Sequence, residues 1–251
     1  MFSKLNKLFF VLTVAYSLLV NYSFITANDE AYKYLDNLAL TAGTDKSSAF
    51  HNYTKIYSKY FDSLRNEKIK FLEIGIYFGD SVKLWESYFP NADLYFVDIN
   101  PSLIKYHSTR SQYHYVNQAD AKAMHKLANA LSGNFDVIID DGGHKMDQQI
   151  ISFQALFPYV KSGGLYIIED LHTSYWKEYG GHGKIGKPAS GSGTCTEFLK
   201  ERIDDLNYTA GVTQCADSNK ISPDLKKSLN CYQDNIEAIH FYKSLCIIIK
   251  K

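Results

Sequence analysis

The chain has 251 residues, 45% of them hydrophobic and 15% aromatic. That is enough apolar material to bury one good-sized core, so one principal domain is expected. Lysine plus arginine and aspartate plus glutamate balance at 27 each, so no global field favours a polyanion and a nucleic-acid partner is excluded.

Taken in chain order, the first stretch differs in kind from the rest. Lys4 and Lys7 precede an apolar run from Leu8 to Val20, and mixed residues follow to Ala27. A positive flank before a short apolar run is the pattern of a signal peptide or short membrane anchor, and the run falls below the roughly 20 residues of a spanning helix. Residues 1–27 are set apart on this ground, with the chain expected to be exported or membrane-associated through them. Residues 28–66 are expected to form a helical extension and 67–251 the main domain.

From Phe71 onward, apolar runs of strand length alternate with amphipathic segments, the signature of successive βαβ units. Strands are predicted at Phe71–Ile76, Leu94–Ile99, Tyr113–Asn117, Phe135–Asp141 and Leu165–Asp170. Crossover helices are predicted at Ser81–Phe89, Ser102–Ser108, Ala121–Leu131 and Met146–Tyr159, the last with Ile150, Phe153, Leu156 and Phe157 on one face. A further helix is expected from Thr194 to Leu206, and two short strands, Ala238–Tyr242 and Leu245–Ile249, are broken at Lys243-Ser244 as in a hairpin. The expected fold is α/β and doubly wound, a mostly parallel sheet closed by an antiparallel hairpin. Of the four cysteines, Cys246 lies in an apolar run as a core residue, whereas Cys215 and Cys231 bracket a polar segment and are the pair expected to bridge if the domain is exported.

The first strand runs into Gly75-Ile76-Tyr77-Phe78-Gly79 and then a helix, so a glycine turn sits where open α/β sheets bind ligands. Gly75 and Gly79 allow a sharp turn and a close backbone approach. Asp98 ends the second strand, placed to accept hydrogen bonds from a ribose diol. Together these point to an adenosine-containing cofactor. The acidic Glu73 beside the turn disfavours a pyrophosphate and favours a cofactor carrying an ammonium and a sulfonium, which tilts the reading from a nicotinamide dinucleotide to S-adenosylmethionine. Gln118-Ala119-Asp120 follows the third strand, where an amide or carboxylate can read an adenine edge; Asp120 is equally suited to cap the next helix.

The fourth strand ends in Asp140-Asp141-Gly142-Gly143-His144 and the fifth in Glu169-Asp170. If these strands are neighbours, Asp141, Glu169 and Asp170 meet at one rim, where their repulsion calls for a cation or a raised pKa. An all-oxygen cluster suits Mg²⁺, Mn²⁺ or Ca²⁺ better than zinc. Capping or pairing with Lys145 and Lys177 accounts for one of these acids more readily than for both pairs. His144, three residues after Asp141, is the candidate general base, since imidazole exchanges a proton near neutral pH.

These segments resemble the metal-dependent sugar O-methyltransferases of macrolide antibiotic biosynthesis, within the class I methyltransferases. The likeness is carried by Gly43-Thr44-Asp45-Lys46 with His51, Tyr53 and Tyr57; by Glu73-Ile74-Gly75 with Gly79; by Ile139 to His144; by Gly163 to Asp170 with Thr173-Ser174-Tyr175-Trp176; and by Ile239 to Ser244. The resemblance implies a seven-stranded Rossmann-like sheet, a metal held by Asp141, Glu169 and Asp170, and His144 as base. Glu73, Gly75, Gly79, Asp98, Asp120 and Asp140 fall on the cofactor side. It also implies a sugar or other small-molecule acceptor whose oxygens chelate the metal, and a homo-oligomer. Tyr175 and Trp176 are candidate stacking surfaces for the acceptor, with the glycine-rich stretch Gly180 to Gly193 as a candidate lid. Export conflicts with a cytosolic methyl donor, so two further readings stand beside the enzyme: residence on the cytoplasmic face of a membrane, and an exported, catalytically inactive relative that binds carbohydrate or a partner.

Overall fold

The computed structural model describes residues 28–182, 193–215 and 221–251. Two compact units are present: among the described residues, one comprises 28–67 with 83–90, and the other 68–82 with 91–182, 193–215 and 221–251.

The first unit is helical. A helix, α1, covers 28–42, with Ala31, Leu35 and Ala39 buried at helical spacing on one face. Helix α2 spans Thr54–Phe61. Its Tyr57 and Phe61 stack at 4.9 Å, and Trp85 meets Phe61 edge-on at 5.6 Å. The polar counterpart of this cluster is Asp36. Its carboxylate accepts from the Ser48 amide at 2.8 Å, the Ser48 hydroxyl at 2.6 Å and the Thr54 hydroxyl at 2.7 Å. One buried acid therefore ties α1 to the start of α2 across a loop that has no regular structure of its own.

The second unit is built on seven strands: β1 Lys70–Ile74, β2 Asp93–Asp98, β3 Gln112–Tyr115, β4 Phe135–Asp140, β5 Val160–Ile168, β6 Ile236–Tyr242 and β7 Leu245–Lys250. Their order is β3-β2-β1-β4-β5-β7-β6. The first five are parallel, and β7 runs antiparallel to both β5 and β6. This is the doubly wound sheet with an antiparallel hairpin that the sequence predicts. β4 is buried at every position, as a strand covered on both faces must be. The chain moves from β1 outward to β3 and then returns to lay β4 on the other side of β1. That reversal opens a crevice at the carboxyl ends of β1 and β4.

The crossover helices are α3 Asp80–Tyr88, α4 Ala121–Ala130 and α5 Met146–Leu156, followed later by α6 Cys195–Thr213, α7 Pro223–Ser228 and α8 Cys231–Asn235. Asp120 caps α4, accepting from the Ala123 amide at 3.0 Å, and Thr194 caps α6 through the Glu197 amide at 3.3 Å. The expected helix Ser102–Ser108 does not form. Only a 3₁₀ turn, Pro101–Leu103, is present, because the amides of Lys105 and Tyr106 both turn to the carbonyl of Phe78 at 3.1 Å. The segment is spent on holding the glycine turn. α6 runs on to Thr213, seven residues beyond its expected end at Leu206.

The membrane expectation is corrected. Among the described residues no helix is long and apolar enough to cross a membrane. α6, at 19 residues, carries Glu197, Lys200, Glu201, Arg202, Asp204 and Asp205. Residues 1–27 lie outside the described residues, as does most of the glycine-rich stretch read as a lid, 183–192. Cys215 and Cys231, the pair expected to bridge, are both free thiols.

Two outcomes follow for stability and reactivity. Asp36→Ala should lower stability by roughly 2–3 kcal/mol, since it strands buried donors that now share a charged acceptor; urea unfolding measures it. Burial pushes the Cys195 and Cys246 thiols up, so both stay protonated and inert. Thiol titration of the native protein should leave these two unmodified until denaturant is added.

Candidate active site

The glycine turn is shaped by one close approach. Gly75 leaves β1 with φ of 99°, and its amide donates to the Val97 carbonyl at 2.7 Å. A Cβ added there would lie 2.0 Å from the Asp141 carbonyl oxygen, well inside van der Waals contact, so only glycine fits. Asp98, at the end of β2, takes the amides of Ile76 at 2.8 Å and Tyr77 at 3.1 Å on one carboxylate oxygen, and that of Asn100 at 2.9 Å on the other. It holds the turn open beside a cavity of about 340 Å³ lined by Gly75, Asp98, Leu103, Gln118, Asp141 and Gly142, among others. A volume of that order suits a small-molecule ligand. Gly79 is not on that wall; its φ is 92° and an added Cβ would crowd Tyr106 at 3.0 Å.

Beneath the turn after β4 lies a buried polar chain. Asp140 is fully buried and accepts from the Gln118 amide nitrogen at 2.9 Å, the Ser152 hydroxyl and the Gly142 amide at 3.4 Å. Burial pushes its carboxyl above the usual range, against the opposing pull of the Ser152 and Gln118 bonds. The oxygen of the same Gln118 side chain accepts from the Gly143 amide at 2.8 Å. A Cβ at Gly142 would strike that oxygen at 2.0 Å, and one at Gly143 would strike Gln148 Oε1 at 2.3 Å. The two glycines are therefore wedged between two glutamines. Asp140 thus acts from below the cavity through Gln118, and Asp120 sits at the α4 cap outside the lining.

The next residue, His144, is forced to φ of 55°. A non-glycine residue in the left-handed region is strained, and such residues gather at functional sites. His144 shares this conformation with Asp170, at φ of 56°, and with Tyr77, at 48°; the three stand just beyond β4, β5 and β1. Nε2 of His144 lies 3.5 Å from an Asp170 carboxylate oxygen and 3.8 Å from one of Asp141. The potential ligand atoms of Asp141, His144 and Asp170 fall within 4.8 Å of one another, as do those of Glu73, Asp141 and Glu169. The three acids read as metal ligands are thus distributed over two overlapping groups joined at Asp141, with His144 in one and Glu73 in the other. Glu73 and Glu169 are buried, and Glu73 also accepts from the Ser81 hydroxyl at 2.8 Å. This donor set, carboxylates with a single imidazole, fits a hard divalent cation.

Beyond Asp170 a 3₁₀ turn, Leu171–Tyr175, ends in the first candidate stacking residue, and Trp176 follows it directly. Tyr175 and Trp176 are 39% and 45% exposed, large apolar faces open to an approaching molecule. Trp176 meets His172 edge-on at 4.5 Å and Tyr179 at 5.9 Å, and Tyr179 lies 6.5 Å from the His144 ring. Sequence reasoning missed Gln148 and Ser152, polar residues that look like ordinary helix positions, and gave Thr173 no role beyond its place in the resembling segment. For Gln118 the signal was its place directly after a strand. For Ser152 and Gln149 it was a polar residue on the otherwise apolar face of α5, where both are fully buried.

Comparison with known proteins bears on this arrangement. A family model described as a methyltransferase domain matches residues 72–171. The mycinamicin VI 2″-O-methyltransferase of Micromonospora griseorubida is 32% identical over 225 residues, 86% of this chain and 52% of that protein. The L-olivosyl-oleandolide 3-O-methyltransferase of Streptomyces antibioticus is 36% identical over 206 residues, 79% of this chain and 52% of that one. Among solved structures, the MycE methyltransferase of mycinamycin biosynthesis, in complex with Mg, SAH and mycinamycin VI, superposes with a TM-score of 0.73 at 31% identity, covering 86% of this chain and 53% of that one. The chain spans about half the length of the curated relatives it matches.

Gly75→Ala tests the close approach. It should cost roughly 3 kcal/mol or more in urea unfolding, because backbone must move to admit the methyl group and the φ is unfavourable to any side chain. Calorimetry with S-adenosylmethionine should show binding lost in the same variant.

Proposed function

We propose that this chain, whose residues 72–171 match a methyltransferase-domain model, is an S-adenosylmethionine-dependent and divalent-metal-dependent O-methyltransferase acting on a hydroxyl of a sugar or a small glycosylated molecule. The observation that carries the reading is the double position of Asp141, which lines the cavity and belongs to both acid groups. A donor seated in the cavity and a cation at the acids would thereby be neighbours. The relatives named above are by name O-methyltransferases of mycinamicin VI and of L-olivosyl-oleandolide, and the MycE complex holds Mg and SAH.

In this proposal Asp141, Glu169 and Asp170 hold the metal, and Glu73 closes the buried side of the cluster. Gly75 and Asp98 shape the cofactor's seat, with Gly79 packing the turn and Asp140 and Asp120 fixing the flanking segments through Gln118 and α4. When bound, the donor supplies an electrophilic methyl group and the cation lowers the pKa of a coordinated hydroxyl. The protein's own part is then to place a base and exclude error. His144 presents Nε2 toward the acids, where an acceptor hydroxyl held at the cluster would lie within reach, and takes its proton. Tyr175 and Trp176 offer flat apolar faces to a sugar ring, so orientation is set before the proton moves.

The decisive experiment combines binding and turnover. Calorimetry with S-adenosylmethionine should show binding, and methyl transfer to a panel of glycosides should require Mg²⁺ or Mn²⁺ and stop with EDTA. His144→Ala should lower kcat by about 10²- to 10⁴-fold, with the cofactor affinity kept within about twofold because the ring is not on the cavity wall. Absence of cofactor binding with and without Mg²⁺ would sink the proposal.

A further inference from the structure

The Thr173-Ser174-Tyr175-Trp176 motif has its aromatic half directed at the acceptor in the reading above, but its first residue is buried and is not on the wall of the cavity beside Gly75. Its hydroxyl oxygen lies 3.0 Å from the carbonyl oxygen of His144 and 2.8 Å from that of Asp170. The Thr173 amide donates to the same Asp170 carbonyl at 3.0 Å. One hydroxyl proton is therefore shared between the backbones of the two residues whose side chains meet at 3.5 Å. Both acceptors are in the left-handed region, where a side chain is held at a conformational cost and returns to an extended or helical shape unless restrained. Two carbonyl oxygens aimed at one point also repel each other unless a donor sits between them. The threonine hydroxyl is that donor.

The turn behind Thr173 is closed as tightly as the turn in front of Gly75. The Gly181 amide donates to the Trp176 carbonyl at 2.9 Å, and a Cβ on Gly181 would lie 2.5 Å from the Ser174 carbonyl oxygen and 2.6 Å from that of Thr173. On its other side Ser174 accepts from the Thr196 amide at 3.2 Å. The backbone of Thr173 and Ser174 is thus packed closely against Gly181.

We propose that Thr173 is a positioning residue that latches the tip of β4 to the tip of β5, fixing the distance between the base His144 and the metal ligand Asp170. The proposal rests on the roles given to those two residues above. It predicts that the hydroxyl matters and the methyl group does not. Thr173→Val keeps the shape and removes the donor; Thr173→Ser keeps the donor.

Three readouts on the full chain test it: kcat and KM for the methyl donor, Mn²⁺ affinity followed by electron paramagnetic resonance, and hydrogen exchange of peptides covering 143–146 and 170–174. In Thr173→Val, kcat and Mn²⁺ affinity should each fall about 10-fold while the donor KM stays within about twofold, as expected for a group that orients ligands without touching the cofactor. Exchange of both peptides should quicken by about 10-fold together, and Thr173→Ser should restore all three readouts. Should the valine variant fail to fold, as judged by urea unfolding, Thr173→Ala against Thr173→Ser isolates the hydroxyl instead, whereas a folded valine variant that has lost donor binding overturns the latch. Unchanged kcat, Mn²⁺ affinity and exchange in the variant lacking the hydroxyl, or a serine variant as impaired as it, overturns the latch. If the wild-type chain binds no Mn²⁺ and transfers no methyl group, the proposed function falls, and the exchange comparison alone still decides whether Thr173 couples the two strand tips.

Discussion

Everything at the carboxyl end of the sheet depends on how near β1 and β4 can come where the strands stop. With no side chain at Gly75, the Asp141 carbonyl crosses directly over the turn, into space that a methyl group would fill. Asp141 is thereby carried to a position that borders the cavity on one side and the acid groups on the other. A side chain at Gly75 would have to displace the Asp141 backbone, and with it the residue that the cavity and the acid groups share. The glycine is a matter of distance first and of flexibility second.

A second constraint is electrostatic. Glu73, Asp140 and Glu169 are all buried in the same region, and each is given specific partners rather than left to water. Asp140 accepts from Gln118, Ser152 and the Gly142 amide and Glu73 from Ser81, while the backbone at Glu169, though not its carboxylate, is held by Gln149 at 2.8 Å. The amides and hydroxyls among these partners fix the geometry of the acids without adding charge of their own. The acids that face outward, Asp141 and Asp170, are those that meet the histidine.

Much of this was legible in the sequence because it is written in period and position. Uninterrupted apolar runs such as Val137-Ile138-Ile139 mark strands covered on both faces, and acids directly after such runs mark the strand ends, so the sheet and the rim could be read together. What could not be read depends on backbone conformation and on long-range partners. The left-handed turn at His144, the reach of Gln118 across 25 residues to Gly143, and the bond from Thr173 across 29 residues to His144 leave no periodic trace. The failed helix at Ser102–Ser108 has the same origin. Its local pattern was sound, but the Phe78 carbonyl claimed its amides, and tertiary bonding outweighed propensity.

The hairpin at the end of the sheet has a consequence for how such a chain is made. β5, which delivers Glu169 and Asp170, is flanked on its outer side by β7, whose Ile247 pairs with Ile167 eighty residues later. The turn between β6 and β7 then reaches back, Ser244 accepting from the Leu171 amide at 3.0 Å through its carbonyl and contacting His172 through its hydroxyl. Because segments fold as they emerge during synthesis, the glycine turn and β4 can be assembled early, while β5 keeps an open outer edge until β7, made some eighty residues later, docks against it. The turn that follows Asp170 is likewise held from the hairpin side only after Ser244 has reached it.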